Sequence, residues 1–223
     1  MELETKKQNE ISWIYIFILT LSGGLMDAYS YLGRGNVFSN AQTGNLLLLG
    51  VNISLGNFHQ VIKYLLPIIC FVLGISLAVF LKYFLQKRKI RYEGYVLLVE
   101  TIIMIGVMFI NQQLNLIATS LLSFACGLQV ETFRKFHQDN IATTMCIGNL
   151  RAGTEAFTEF MLNKDKNNLK RAIRYFLIVF VFVIGAIIGN FLIMWIDQYA
   201  IGISGLILFI CSISMFVKKN CRC

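Results

Sequence analysis

Asp27 is the side chain of this sequence best placed for chemistry, because it lies deep in an otherwise apolar run over residues 12–32. A carboxylate at that depth costs about 2.5–3.5 kcal/mol on insertion scales, so it must face a protein interior, paired or protonated. One reading makes Asp27 a site for a proton, a cation or a cationic solute. The other makes it a brace or cap for the nearby Thr43-Gly44-Asn45 segment. Glu100, inside a second apolar run, has no charged neighbour in sequence and is a further candidate for proton coupling. Glu131 is a third, although Arg134 stands one helical turn on and an interfacial ion pair is the plainer reading. Thr43-Gly44-Asn45 and Gly148-Asn149 place small and amide residues where backbone breaks or packs closely. Glycine permits both a positive φ and a near helix approach, and Asn and Thr can satisfy freed backbone groups. If a half-helix starts there, its N–H groups can hold an anion; small-residue helix packing is the alternative. Arg151, just beyond, can draw an anionic group or pair with Glu155 at i,i+4.

Other chemistry is not visible. His59 and His137 are not at ligand spacing. The six cysteines show no C-x-x-C or Cys/His pattern. Four lie in or beside apolar runs, where Cys acts as a small hydrophobe. The terminal Cys221-Arg-Cys223 has the types to bind metal or form a disulfide, but a reduced cytoplasmic tail is the plainer reading. There is no nucleophile motif, metal set, nucleotide loop or acid/base pair, so the expectation is a protein that is not an enzyme and uses no cofactor.

These residues must be held by membrane helices. Apolar residues make up 57% of the chain and charged ones 14%, against about 45–50% and about 25% in soluble domains. A bilayer core needs about 20 mainly apolar helical residues. Six runs meet that, near 12–32, 61–81, 94–111, 116–133, 173–196 and 199–217. Without period-2 alternation they are helices. The first is too long for a signal h-region and lacks a cleavage site, so it is expected to be retained. Two further segments, 37–56 and 140–162, are partly apolar but rich in polar groups.

The net charge of +8 fits cytoplasmic loops better than a nucleic-acid surface, because no basic cluster alternates with aromatics. Placing Lys82–Arg91 inside also puts Arg134/Lys135, Lys170/Arg171, Lys218/Lys219 and the Lys6/Lys7 tail inside. Both termini are then cytoplasmic in the cell membrane. Segments 37–56 and 140–162 each start and end on one side, so each dips in and returns. The alternative is eight spans.

The chain also repeats itself. Ile62-Lys63-Tyr64-Leu65-Leu66 through Phe71-Val72-Leu73-Gly74 aligns without a gap to Ile173-Arg174-Tyr175-Phe176-Leu177 through Phe182-Val183-Ile184-Gly185. Thr43-Gly44-Asn45 matches Ile147-Gly148-Asn149, and Gly24-Leu25 matches Gly127-Leu128. Repeat one covers 12–111 and repeat two 116–217, within a single membrane domain over 1–223. Three spans per repeat is odd, so the second copy is inverted. The fold class expected is all-α integral membrane: six helices as two inverted three-helix repeats, each with a polar re-entrant or broken segment. Secondary transporters are often built so, with the site near the midplane. Pro67 is expected to kink the second span, and Gly185-x-x-x-Gly189 to bring helices close, within the bundle or in a homodimer.

The block Gly24-Leu-Met-Asp27-Ala28, followed by Phe38-x-Asn40-x-x-Thr43-Gly44-Asn45, resembles the YoaK family of bacterial multi-pass membrane proteins. Gly127-Leu128-Gln129, Arg134 and Thr143-Thr144 extend the resemblance over nearly the whole chain. It departs at Val130-Glu131, where the family usually has Asn-Ala, and at Ile147-Gly148, where a second Thr-Gly is expected. Those changes weaken any role tied to the second motif's side chains. The family has no established activity, so the resemblance implies membrane location and fold rather than a substrate. The site expected for an unknown small molecule or ion combines Asp27, Asn40, Thr43, Gly44, Asn45, Gln129, Gly148 and Asn149. Asp27, Glu100 and Glu131 are the candidates for proton coupling. The function expected is a small secondary transporter or channel. The other reading is a scaffold or sensor whose polar residues only hold the bundle together.

Overall fold

Each apolar run becomes a helix, and each polar segment becomes an irregular limb followed by a helix of its own. The computed structural model describes residues 12–87, 92–136 and 139–220. Lys6/Lys7, Arg88–Arg91, His137 and Cys221–Cys223, all used in the charge or ligand reading above, lie outside the described residues. The helices are α1 (Trp13–Ala28), α2 (Gln42–Ser54), α3 (Phe58–Lys87), α4 (Tyr92–Met108), α5 (Asn115–Thr132), α6 (Cys146–Asn163), α7 (Lys166–Ile196) and α8 (Ala200–Asn220). Ser12 starts α1, its hydroxyl accepting from Ile14 N. Asp165 starts α7 in the same way through Asn167 N. Lys164, in the left-handed region at φ 55°, ends α6. A π-turn over Tyr29–Gly33 extends α1. Pro67 lies inside α3, which continues through it. A two-stranded ribbon, β1 (Lys135–Phe136) with β2 (Asp139–Asn140), follows α5.

The molecule is apolar outside and polar inside. Phe58, Leu47, Met194 and Trp195 are largely exposed, Trp195 at 81%, whereas Arg34, Asn40, Asn45 and Glu100 are fully buried. Water would not tolerate so much exposed apolar surface, and lipid requires it. Three stretches, Phe58–Leu85, Gln112–Thr132 and Lys166–Val217, are long and apolar enough to cross a membrane. This is a helical membrane protein.

Helix directions follow from the contacts. α1 and α7 run parallel, with Gly185 against Leu21 and Gly189 against Leu25; the Gly185/Gly189 pair therefore packs within the bundle. α3 and α5 also run parallel, Cys70 meeting Ser120 and Ala78 meeting Leu128. α8 runs opposite to α1, through Tyr15–Ser214 and Ser22–Ser204 hydroxyl pairs, and opposite to α4, where Ser212 Oγ donates to Gly94 O at 2.8 Å and Gly202 packs on Met108. α5 runs opposite to α1: Gln129 reaches Leu19 O, while Asn115 at its other end meets Arg34.

The two closest crossings are made alike. At α1 and α7, a Cβ on Gly24 would run into Phe182 O, and one on Gly185 into Leu21 O. At α3 and α5, Gly127 faces Phe71 O and Gly74 faces Phe124 O in the same way. Only glycine lets backbones approach this near.

Candidate functional site

A loop inside a membrane bundle must satisfy its own backbone groups, and here two asparagines do so identically. Asn45 Oδ1 accepts from Phe38 N at 3.1 Å, and its Nδ2 donates to Phe38 O at 2.7 Å. Asn149 Oδ1 accepts from Ala142 N at 3.1 Å, and its Nδ2 donates to Ala142 O at 2.6 Å. Each amide sits in the first turn of its helix, α2 or α6, and clips the residue seven positions back. The chain is thereby bent into a tip of a few residues, 39–41 in the first loop and 143–145 in the second.

Both tips arrive at the same place, halfway along α1. Asn40 Nδ2 donates to Gly23 O at 2.7 Å. From the other loop, Thr143 O would lie 2.8 Å from a Cβ on Gly23. Gln42 Nε2 donates to Ser39 O at 2.8 Å and Ser123 Oγ at 3.2 Å, tying the first tip to α5. Gln129 Nε2 donates to Thr143 Oγ1 at 3.0 Å and Leu19 O at 3.3 Å, tying the second tip to α1. Cys126 Sγ meets Thr144 Oγ1 at 3.5 Å. A buried polar junction thus forms between α1, α5 and the starts of α2 and α6.

The carboxylates differ. Asp27 Oδ1 accepts from Asn40 N at 3.0 Å, and the neighbouring Ala41 N–H also faces it, while Ser39 N donates to Ser30 Oγ at 2.9 Å. It neutralises the positive start of α2, which is the bracing arrangement. Glu100 is fully buried on α4, with neither oxygen partnered among the described residues. Asp27 and Glu100 both lie within electrostatic range of Cys126. Gln129 Oε1 is likewise buried and has no partner among the described residues.

Of the expected site residues, Asp27, Asn40, Asn45, Gln129 and Asn149 come together here. Thr43 and Gly148 do not: both are exposed, and none of the described residues lies within 4 Å of a Cβ on Gly148. Gly44 packs on the Phe38 ring. Glu131 sits at the end of α5, 3.9 Å from Arg134. No ion pair joins Arg151 and Glu155 among the described residues; both line a shallow groove of about 580 Å³ on α6, away from the junction. No group of three or more His, Cys, Asp or Glu among those residues could hold a metal ion.

Sequence reading passed over Ser39, Gln42 and Ser123, whose polarity is ordinary one residue at a time. It also passed over Arg34, which is fully buried. Its Nε donates to Tyr29 OH at 2.8 Å, Nη1 to Ile110 O at 2.8 Å and Asn115 Oδ1 at 3.3 Å, and Nη2 to Val107 O at 3.0 Å. The guanidinium closes the C-terminal end of α4, where free carbonyls carry negative partial charge. Its flanking Gly33 and Gly35 were the available signal.

The family described as "Protein of unknown function (DUF1275)" matches residues 15–214. The chain belongs to this family. Among curated proteins, the UPF0700 transmembrane protein YoaK of Bacillus subtilis (strain 168) is 25% identical over 181 residues, spanning 77% of this chain and 79% of the relative. No solved structure matches. Membership in the DUF1275 family, and the likeness to a transmembrane protein, agree with the apolar exterior.

Proposed function

We propose that this DUF1275 protein is a small secondary transporter or channel, not an enzyme, whose solute passes through the junction of the two loop tips. The observation that carries this reading is the meeting of two irregular loops, each entering from its own end of the bundle, at Gly23 midway along α1. Irregular backbone at that depth is tolerated where it is buried in protein or lines a cavity, and transporters place solute sites at such breaks. The unpartnered Glu100 supports coupling. A buried carboxylate without a partner must carry a proton or meet a cation, since an uncompensated charge is strongly destabilising there.

The accompanying topology is six spans in two inverted repeats, with both termini cytoplasmic. The matched Asn45 and Asn149 clips, the paired glycine crossings and the opposed directions of α1 and α5 support it. The bundle is small, and two copies side by side are a natural assembly.

The test is reconstitution into liposomes carrying entrapped pH and potential dyes, challenged with a metabolite and ion library under imposed gradients. A solute-dependent signal is expected, lost in Glu100→Gln protein that still elutes as a folded species. Silence with every solute, from protein shown to be folded and inserted, would leave the bundle as a scaffold or sensor.

A further inference from the structure

The two loop tips are built alike but filled differently. On α1, Gly23 and Asp27 stand one turn apart on one face, and the first tip touches both. Asn40 Nδ2 donates to Gly23 O, and the Asn40 and Ala41 N–H groups face the Asp27 carboxylate. On α5 the corresponding residues are Cys126 and Val130, by the register of the Gly24 and Gly127 crossings. Cys126 Sγ meets Thr144 Oγ1, and by the same register Val130, one turn on, is the counterpart of Asp27.

Val130 offers no acceptor. The N–H groups of Thr143, Thr144 and Met145 find none among the described residues, although Thr143 and Thr144 are both 1% exposed. Buried backbone N–H groups are rarely left so. They precede α6, a helix of 18 residues with no side-chain cap, so its dipole adds to their pull on negative charge. A second observation is independent of the helix end. Gln129, 1% exposed, donates through Nε2 to Thr143 Oγ1 in this same tip, while its Oε1 has no partner among the described residues. The second tip therefore presents unfilled donors beside an unfilled acceptor.

We infer that the Thr143–Met145 tip binds the carboxylate of a small amino or hydroxy acid, in the place that the Asp27 side chain fills at the first tip, with Gln129 Oε1 receiving the solute's own donor. Glu100 provides a further acceptor for an ammonium group, which balances charge inside the bundle. The inference names the solute class of the junction proposed above and rests on reading that junction as a binding site.

Thermal melting of the detergent-purified chain tests it, with millimolar sodium lactate, alanine or acetate against sodium chloride at equal ionic strength. A ligand that binds only the folded state raises Tm. Lactate or alanine is expected to raise it, acetate less because it lacks the donor, and chloride not at all. Val130→Asp tethers a carboxylate in the same place. It is expected to melt about 2 °C or more above the parent without solute, and to lose the response. Val130→Asn, alike in size but uncharged, is expected to gain no stability.

If Val130→Asp does not fold, Gln129→Leu serves instead and must remove the preference for lactate or alanine over acetate. No response to any carboxylate in the parent chain overturns the inference. So does a Val130→Asp protein that responds as the parent does. Binding without flux in liposomes overturns transport and keeps the site; flux without any carboxylate response overturns the site and keeps transport.

Discussion

Two carboxylates inside this bundle are held in opposite ways, and substitution separates them. Asp27 accepts hydrogen bonds from the first loop tip, so Asp27→Asn replaces a charged acceptor with a group that accepts more weakly. A loss of roughly 1–3 kcal/mol is expected, read as a lower Tm in detergent. Glu100 bonds to nothing among the described residues, so Glu100→Gln removes a buried ionisable group at nearly constant shape. Its Tm is expected to hold or rise, while any pH-driven flux disappears. A fall in Tm as large as that of Asp27→Asn would assign Glu100 to structure instead. Arg34 gives a third contrast. Lysine keeps the charge but cannot reach Tyr29, Val107 and Ile110 together, so Arg34→Lys is expected to melt lower than the parent. Asp27, Asn45 and Asn149 were legible in the sequence because polar groups are rare in apolar runs. Arg34 was not, because a cation past the end of a span reads as an ordinary interfacial residue. Only its hydrogen bonds reveal it as the cap of another helix.

The glycines separate packing from loop chemistry at the scale of helices. Gly24 and Gly185 hold α1 against α7, and Gly74 and Gly127 hold α3 against α5, with no room for a methyl group. Gly24→Ala is expected to cost about 1–3 kcal/mol through forced separation of the backbones. The open position at Gly148 should respond oppositely: Gly148→Ala relieves helix α6 of about 0.5–1 kcal/mol of glycine's entropic cost. Melting both variants side by side checks the pair, and an unstable Gly148→Ala would show that α6 is covered there. The six long helices were readable because apolar length is additive along the chain. Their ends agree with the apolar runs to within a few residues except at α7, which starts at Lys166 before its apolar stretch, and at α3, which runs on to Lys87. The polar segments were harder. Nothing in local composition separates the irregular limb from the helix that follows, since the clip that divides them pairs Asn45 with Phe38 and Asn149 with Ala142 across seven residues.

At the scale of the whole molecule, the proposed inversion and the charge distribution make one joint claim about the two faces of the membrane. Asn57 lies at the exposed corner between α2 and α3, and Asn167 at the exposed start of α7. α3 runs opposite to α7, so these corners, at the starts of the two helices, lie at opposite ends of the bundle. Arg171, on Asp139 at 2.6 Å, and Arg174, over the Trp13 ring at 5.0 Å, mark the basic end, to which Asn167 belongs. Short cytoplasmic loops collect Lys and Arg, so that end is expected inside. Asn57→Cys in a background without the native cysteines should then label with an impermeant maleimide on intact cells, and Asn167→Cys only after lysis. Labelling of both from outside would break the inversion, because corners related by it cannot share a face. The reverse pattern would keep the inversion and turn the molecule over, with the unfilled tip of α6 on the path from outside.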